Sequence, residues 1–305
     1  MTSARRVGTT TLMACLSDAE VQSFLDNGWL VLPGCLAAEE LAAMRADMDR
    51  VAGQADPDAP DYMFSPGHLD GSMVLRRIQY VVDKSHAARA MMGHPRVLAA
   101  VQRVAGPDLF PTQDAMVLKM PGQGIEVPWH RDRASTDDYP SDPPVFIADF
   151  YLDDADLDTC IWVVTGSHQW SDARTAAAIA ERNRDGFSTE GAEPVLLRAG
   201  DVLFHNVRLL HGSPPNVSDK LRRVVYYTFH TVRIEWEHGP FTREYVAAKQ
   251  KVLRACLRER RTTPYAADEA PFDYRPPPAL DKGPLADGET PATFRYPAAE
   301  YSRVS

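Results

Sequence analysis

The segment Pro128-Trp129-His130-Arg131-Asp132 sets an imidazole and a carboxylate two residues apart. In extended backbone, side chains two apart leave the chain on the same side. His130 and Asp132 would therefore face one point together while Arg131 faces away. A lone pair of this kind also occurs in charged surface loops, and Arg131, Arg133, Asp137 and Asp138 make this stretch highly charged. A second group about 80 residues on changes the reading. Gly200-Asp201 opens an apolar run, Val202-Leu203-Phe204-His205, which leads into Leu209-Leu210-His211-Gly212-Ser213-Pro214-Pro215-Asn216 and then Leu221-Arg222-Arg223-Val224-Val225. A histidine, a hairpin turn and an arginine entering a β-branched strand would set Arg222 beside His211 inside a barrel. Two histidines and one carboxylate bind one face of Fe(II) and leave three positions open. Those positions suit a bidentate 2-oxo acid and dioxygen, and the acid's far carboxylate calls for a planar, permanently charged guanidinium.

The elements that must hold these residues follow from periodicity. Ser17-Asp18-Ala19-Glu20 has capping-box spacing, with Val21, Phe24 and Leu25 forming an apolar face and Gly28 ending the helix. Trp29–Leu32 reads as a strand stopped by Pro33-Gly34. Leu41, Met44, Met48 and Val51 recur at three and four, which predicts a helix from Ala38 to Val51. Residues 53–72, rich in Pro, Asp and Gly, read as a loop. A further helix begins at His94-Pro95 and closes at Gly106. Beyond it the period becomes strand-like, with runs at 113–120, 145–152, 160–164, 195–204 and 222–233. A last helix is expected over 242–258. Helices followed by many short strands predict an α+β chain with a mainly β core, in which helices buttress a sandwich or barrel. The expected division is a flexible terminus at 1–15, one domain at 16–260, and an extended arm at 261–305. Eight prolines in 264–305 preclude long regular elements there. Tyr265, Phe272, Tyr274, Phe294, Tyr296 and Tyr301 give that arm a surface to lie against, on this chain or on a second copy.

Taken in order, these motifs resemble the phytanoyl-CoA dioxygenase family, within the iron(II)- and 2-oxoglutarate-dependent oxygenases. The likeness covers roughly residues 16–233. It runs through Phe24-Leu25-Asp26-Asn27-Gly28, His130-x-Asp132, Thr165-Gly166-Ser167-His168, Gly200-Asp201-Val202, His211-Gly212-Ser213, Asn216, Ser218 and Arg222-Arg223. The family spaces its distal histidine and 2-oxoglutarate arginine eleven apart, as 211 and 222 are here. The resemblance implies a double-stranded β-helix, or cupin-like jelly roll, behind N-terminal helices. It implies Fe(II) on His130, Asp132 and His211, and 2-oxoglutarate held by Arg222 with help from Ser213. Dioxygen would be the second co-substrate. Arg77 looks like a basic position that some relatives use near the acid's other carboxylate. The implied reaction is hydroxylation of an unactivated C–H with release of succinate and CO2, or desaturation, cyclisation or epimerisation by the same oxidant. Relatives that halogenate lack the carboxylate at the position of Asp132, so its presence favours oxygenation. A metal- or acid-binding sensor without turnover is the alternative of another class.

Other histidines compete for these roles. His205 ends the apolar run and is the rival ligand to His211, whose turn-and-arginine context it lacks. His168 sits in a turn that is structural in the family, and His68, His86, His94 and His238 have no companions at ligand spacing. His230 lies in a strand that could face the barrel. The sequence departs from the family pattern at Arg131, Asp158-Thr159-Cys160 and Thr165, all turn or neighbouring positions that bear on substrate identity.

A formal charge of −9 argues against a nucleic-acid partner, which would need a basic face. Cys15, Cys35, Cys160 and Cys256 are scattered, with no CxxC pair, so reduced thiols in a cytoplasmic protein are expected. No apolar run approaches the roughly 18–20 residues that span a bilayer. The expected partner is a small molecule, amino-acid-like or a natural-product intermediate, drawn to segments 66–80, 133–150 and 226–238. Arg133, Phe150, Tyr227 and Trp236 are its expected contacts.

Overall fold

The computed structural model describes residues 16–132, 142–297 and 300. Expectations for residues 1–15, Arg133 and Tyr301 fall outside them. The chain opens with helix α1 (Asp18–Asn27), whose cap is the reciprocal box expected from sequence: Glu20 N–H donates to the Ser17 hydroxyl, and the Glu20 carboxylate accepts from Ser17 N–H at 2.7 Å. Strand β1 (Trp29–Leu32) and helix α2 (Ala38–Gly53) follow.

The Pro/Asp/Gly-rich segment is not all loop. It contains strand β2 (Tyr62–Pro66), which pairs antiparallel with β3 (Met73–Gln79). Turn residues Gly67 to Ser72 dominate the local composition and hide the short strand before them. Short helices α3 (Val81–Lys84) and α4 (His86–Met92), also unexpected, lead to α5 (Pro95–Ala105), which His94 caps through its ring nitrogen.

The β region comprises β4 (Leu109–Lys119), β5 (Val127–His130), β6 (Phe146–Tyr151), β7 (Ile161–Val163), β8 (Glu193–Val195), β9 (Val202–Asn206), β10 (His211–Ser213) and β11 (Arg222–Thr231). Helix α6 (Asp172–Arg182) interrupts it, and α7 (Val232–His238) and α8 (Arg243–Arg260) close it. The run expected at 195–204 is two strands, because Gly200, at φ 95°, turns the chain between β8 and β9. The strand expected to reach 233 ends at Thr231, where α7 begins.

Every pairing within the two sheets is antiparallel. The larger sheet has the order β1-β9-β6-β11-β4-β3-β2 and the smaller β5-β10-β7-β8. Strand β11 is buried along its whole length, and its alternation divides the molecule. Val225, Tyr227 and Phe229 face the helices, packing with Phe146, Phe150, Phe204, Met48 and Leu253 in the main core. Val224 faces the other way and packs with Tyr151, Leu203, Val163 and Val195 between the sheets. Each large apolar side chain buried there contributes roughly 1.5–3 kcal/mol. The chain thus has a helix-covered outer face and an inner face closed by the small sheet, as in a jelly roll.

The C-terminal segment lies against this body. Phe272 and Tyr274 join the main core, and the Tyr274 hydroxyl donates to Leu109 O at 2.7 Å. No helix among the described residues is long and apolar enough to cross a membrane.

Candidate active site

Strands β5 and β10 are neighbours, and their register sets His130 directly opposite His211. Residues remote in sequence thereby share one point on the inner face. One edge of β5 is covered by α6 rather than by a strand. Asn183, at the end of that helix, accepts from Trp129 N–H and donates to Trp129 O, each at 3.0 Å. The Trp129 ring is buried, stacks on Phe187 at 5.0 Å and donates to Ser188 O. Arg131, between the two candidate ligands, donates to Ser167 O at 2.8 Å and Trp170 O at 3.0 Å, so it is pinned outside the cavity. Beside Trp129, Gly212 must stay small: a Cβ there would lie 2.8 Å from Phe187, 2.9 Å from Val127 O and 3.2 Å from Trp129 N.

The two imidazoles are oriented by the same device. Nδ1 of His130 meets Pro128 O at 2.8 Å, and Nδ1 of His211 meets Leu209 O at 2.9 Å. A carbonyl acceptor places the proton on Nδ1 and leaves the Nε2 lone pair for a metal. Both Nε2 atoms turn to Asp132, at 3.7 Å from Oδ1 for His130 and 3.6 Å from Oδ2 for His211. One ligand atom from each residue lies within 4.8 Å of the others, and among the described residues this is the one such group of three or more histidines, cysteines or acids. Two imidazoles and a carboxylate are the donor set suited to Fe(II) with open positions.

Burial holds His211 down, to a pKa of about 3, so it is a neutral base at physiological pH. Burial disfavours the Asp132 carboxylate, but His211, His130 and His205 together outweigh it and hold its pKa well below the usual range. His205 belongs to the larger sheet, on β9. Its ring bridges two carboxylates, Asp149 at 2.7 Å and Asp132 at 2.9 Å. Burial lowers its pKa, yet those two acids outweigh burial and lift it to about 10. A ring held by acids on both nitrogens has no lone pair to offer, so His205 is a neighbour of the triad. Sequence reasoning missed Asp149. Its only signal is a lone acid among the apolar residues of a buried strand.

A cavity of about 180 Å³ begins at His130, Asp132 and His211 and runs between the sheets to Arg222 and Ser213. Arg222 is 6% exposed; its Nε donates to Thr159 O at 3.2 Å. Register sets Arg222 opposite Lys119, a buried amine whose Nζ meets the carbonyls of Ile125 at 3.2 Å, Ser213 and Pro214, and whose pKa is lowered to about 6 by burial and then by the Arg222 charge. Arg77 lines the cavity too, with its guanidinium on the Tyr226 hydroxyl.

The remaining sequence candidates fall elsewhere. His168 Nε2 meets Leu25 O at 3.0 Å and ties α1 to the turn at residues 165–169. His94 caps α5, and His86 pairs with Glu259. Phe150 and Tyr227, expected at the substrate, point into the helix-covered core. Their chain neighbours Asp149, Tyr151 and Tyr226 take the cavity positions, because alternate residues of a strand face opposite sides. Trp236 packs with Phe110, Val232 and Tyr245 rather than in this cavity.

The family model described as Phytanoyl-CoA dioxygenase (PhyH) matches residues 24–224. The chain is 27% identical over 269 residues to phytanoyl-CoA dioxygenase domain-containing protein 1 of Bos taurus, covering 72% of this chain and 90% of that protein. It is 24% identical over 244 residues to the ectoine dioxygenase of Bordetella parapertussis, covering 71% and 76%. Among solved structures, AviO1 from Streptomyces viridochromogenes Tue57 superposes with a TM-score of 0.58 at 31% identity, covering 69% of this chain and 93% of that one. The chain belongs to the phytanoyl-CoA dioxygenase family of iron(II)- and 2-oxoglutarate-dependent oxygenases.

Proposed function

We propose that His130, Asp132 and His211 hold the Fe(II), that Arg222 takes the far carboxylate of 2-oxoglutarate, and that the enzyme hydroxylates a C–H bond of a small molecule. The observation that carries this reading is a single cavity with the three donors at one end and a buried guanidinium at the other. Fe(II) with 2-oxoglutarate supplies, when bound, the oxidative decarboxylation to succinate and CO2 that drives such hydroxylations.

The chain's own contribution is placement. His130 and His211 present fixed Nε2 lone pairs because backbone carbonyls hold their Nδ1 protons. Asp132 is anchored by its own N–H, which donates to Val207 O at 3.1 Å. Arg222 offers nitrogens beyond the Nε that Thr159 occupies, and Ser213 lines the same end of the cavity. Arg77 lines the end near Asp132, so it is the cation for the acid's nearer carboxylate. Ile125, Val127, Ile161 and Val224 make the intervening walls apolar, which excludes water from the reacting centre.

His130→Ala and Asp132→Ala should each abolish substrate-dependent succinate formation. Full activity in either variant would show that the ligand assignment is wrong.

A further inference from the structure

A second cavity, of about 280 Å³, adjoins the first and shares Arg77, Asp132, Ile147 and Tyr226 with it. Arg222, Ser213 and Lys119 are absent from its walls, so it opens from the Asp132 end. Strand β11 explains the division. Arg222, Val224, Tyr226, Thr228 and His230 share its inner face, and the eight residue steps from Arg222 to His230 span about 26 Å. The stretch from Arg222 to Tyr226 serves the first cavity, and that from Tyr226 to His230 serves the second.

The polar groups in this second cavity are oriented and incompletely paired. Nδ1 of His230 meets the Glu235 carboxylate at 2.9 Å, and the other oxygen of that carboxylate accepts from Phe241 N–H at 2.9 Å. Glu235 is fully buried, and the chain makes room for it at Gly239, where a Cβ would lie 1.9 Å from Oε1. This arrangement fixes the imidazole and puts its proton on Nδ1, leaving Nε2 as an acceptor. The Thr228 hydroxyl is buried with no partner among the described residues, and so is Nε of Arg77. Val145, Val207, Pro240 and Phe241 complete the wall.

An alkyl chain in this space would leave Nε2 of His230 and the Thr228 hydroxyl desolvated and unpaired, which disfavours it. A site built to hydrogen-bond a hydroxyl rejects analogues that lack it for this reason. We propose that the second cavity is the substrate subsite, and that it takes a compact, neutral, hydroxyl-bearing molecule that donates to Nε2 of His230 and pairs with the Thr228 hydroxyl. The proposal rests on the reading of the triad as the iron site. Its cavity is near the lower end of the roughly 300–1,000 Å³ of small-molecule sites, which favours a single ring or short polyol over an extended acyl chain.

The test is saturation-transfer NMR on protein loaded with Ni(II) and 2-oxoglutarate. The probes are myo-inositol and methyl glucoside, against cyclohexanone and 2-hexanone, which can accept hydrogen bonds but not donate them. The hydroxylated probes should receive saturation from the wild type. That transfer should fall by at least about fivefold in Thr228→Val and in His230→Phe, the effect of losing one hydrogen bond of about 1 kcal/mol. Thr228→Val is nearly isosteric and keeps the test valid if His230→Phe does not fold. Equal or stronger transfer to the ketones, no transfer to the polyols, or polyol transfer that survives Thr228→Val would overturn the assignment. The 2-oxoglutarate signals in the same tube separate the two readings. Their failure to show binding in the wild type refutes the iron-site reading and the subsite with it, whereas 2-oxoglutarate binding without polyol transfer refutes the subsite alone.

Discussion

Replacing Arg222 with glutamine isolates the co-substrate end of the cavity. The side chain is 6% exposed, and its one hydrogen bond among the described residues runs from Nε to Thr159 O. Its two Nη groups are therefore available to a carboxylate as a pair of charge-assisted donors. Losing one partner of such a desolvated pair costs about 2–5 kcal/mol, which is about 30-fold to a few thousand-fold in affinity. Glutamine retains a donor and much of the length, so the effect measures charge and fork geometry. Arg222→Lys should fall between the two, because an ammonium restores charge but not bidentate pairing. The assay is calorimetric titration of 2-oxoglutarate into Ni(II)-loaded protein, with Ni(II) affinity measured separately as the control. The metal site lies at the other end of the cavity, so Ni(II) affinity should change by less than about threefold, well under the 1.4 kcal/mol of a tenfold effect. A loss of 2-oxoglutarate affinity below about fivefold, with metal binding intact, would refute the role given to Arg222.

Two further predictions concern the frame around the site. Lys119 donates to three backbone carbonyls, so Lys119→Met should destabilise the fold by about 2–4 kcal/mol through unpaired acceptors. Urea unfolding measures this; an unchanged midpoint together with lost 2-oxoglutarate binding would instead make Lys119 a co-substrate ligand. His94 is buried beside Glu40 and Arg260, and burial first, then Arg260, lowers its pKa to about 3 from an unfolded value near 6.5. Above pH 6.5 its contribution is complete. As pH falls toward 3 the unfolded chain takes up a proton that the folded chain refuses, and stability drops by up to about 1.4 kcal/mol per unit. From pH 7 to 5 the wild type should lose about 2 kcal/mol more than His94→Asn, which keeps a capping acceptor but does not titrate. Parallel pH dependences for the two proteins would contradict this.

Much of the frame was legible because its signals are local. The capping box at Ser17, the apolar period of α2, the proline at the start of α5 and the switch to short β-branched runs each depend on neighbours within a few residues. Spacing also made His130, Asp132, His211 and Arg222 candidates, since a two-residue step in a strand and a turn between a histidine and an arginine are properties of the chain itself. The β2–β3 hairpin was not legible, because its turn residues outweigh the five residues of β2 in local composition.

Tertiary structure decided which of two similar residues faces the cavity. Tyr226 and Tyr227 are adjacent and chemically alike, and alternation requires only that they point opposite ways. Packing of the helices on one face of the larger sheet sends Tyr227 into the core and Tyr226 inward. His205 and His211 stand six apart on one stretch of chain, yet they enter different sheets. His211 meets His130 across a strand pair, while His205 is enclosed by Asp149 and Asp132. The carboxylate that holds His230 comes from a helix after the strand, and no periodicity links the two. The sequence alone determined the residue types and the side of the strand each shares with its neighbours. Which side becomes the interior depends on how the sheets and helices cover one another, and that is a property of the whole packed chain.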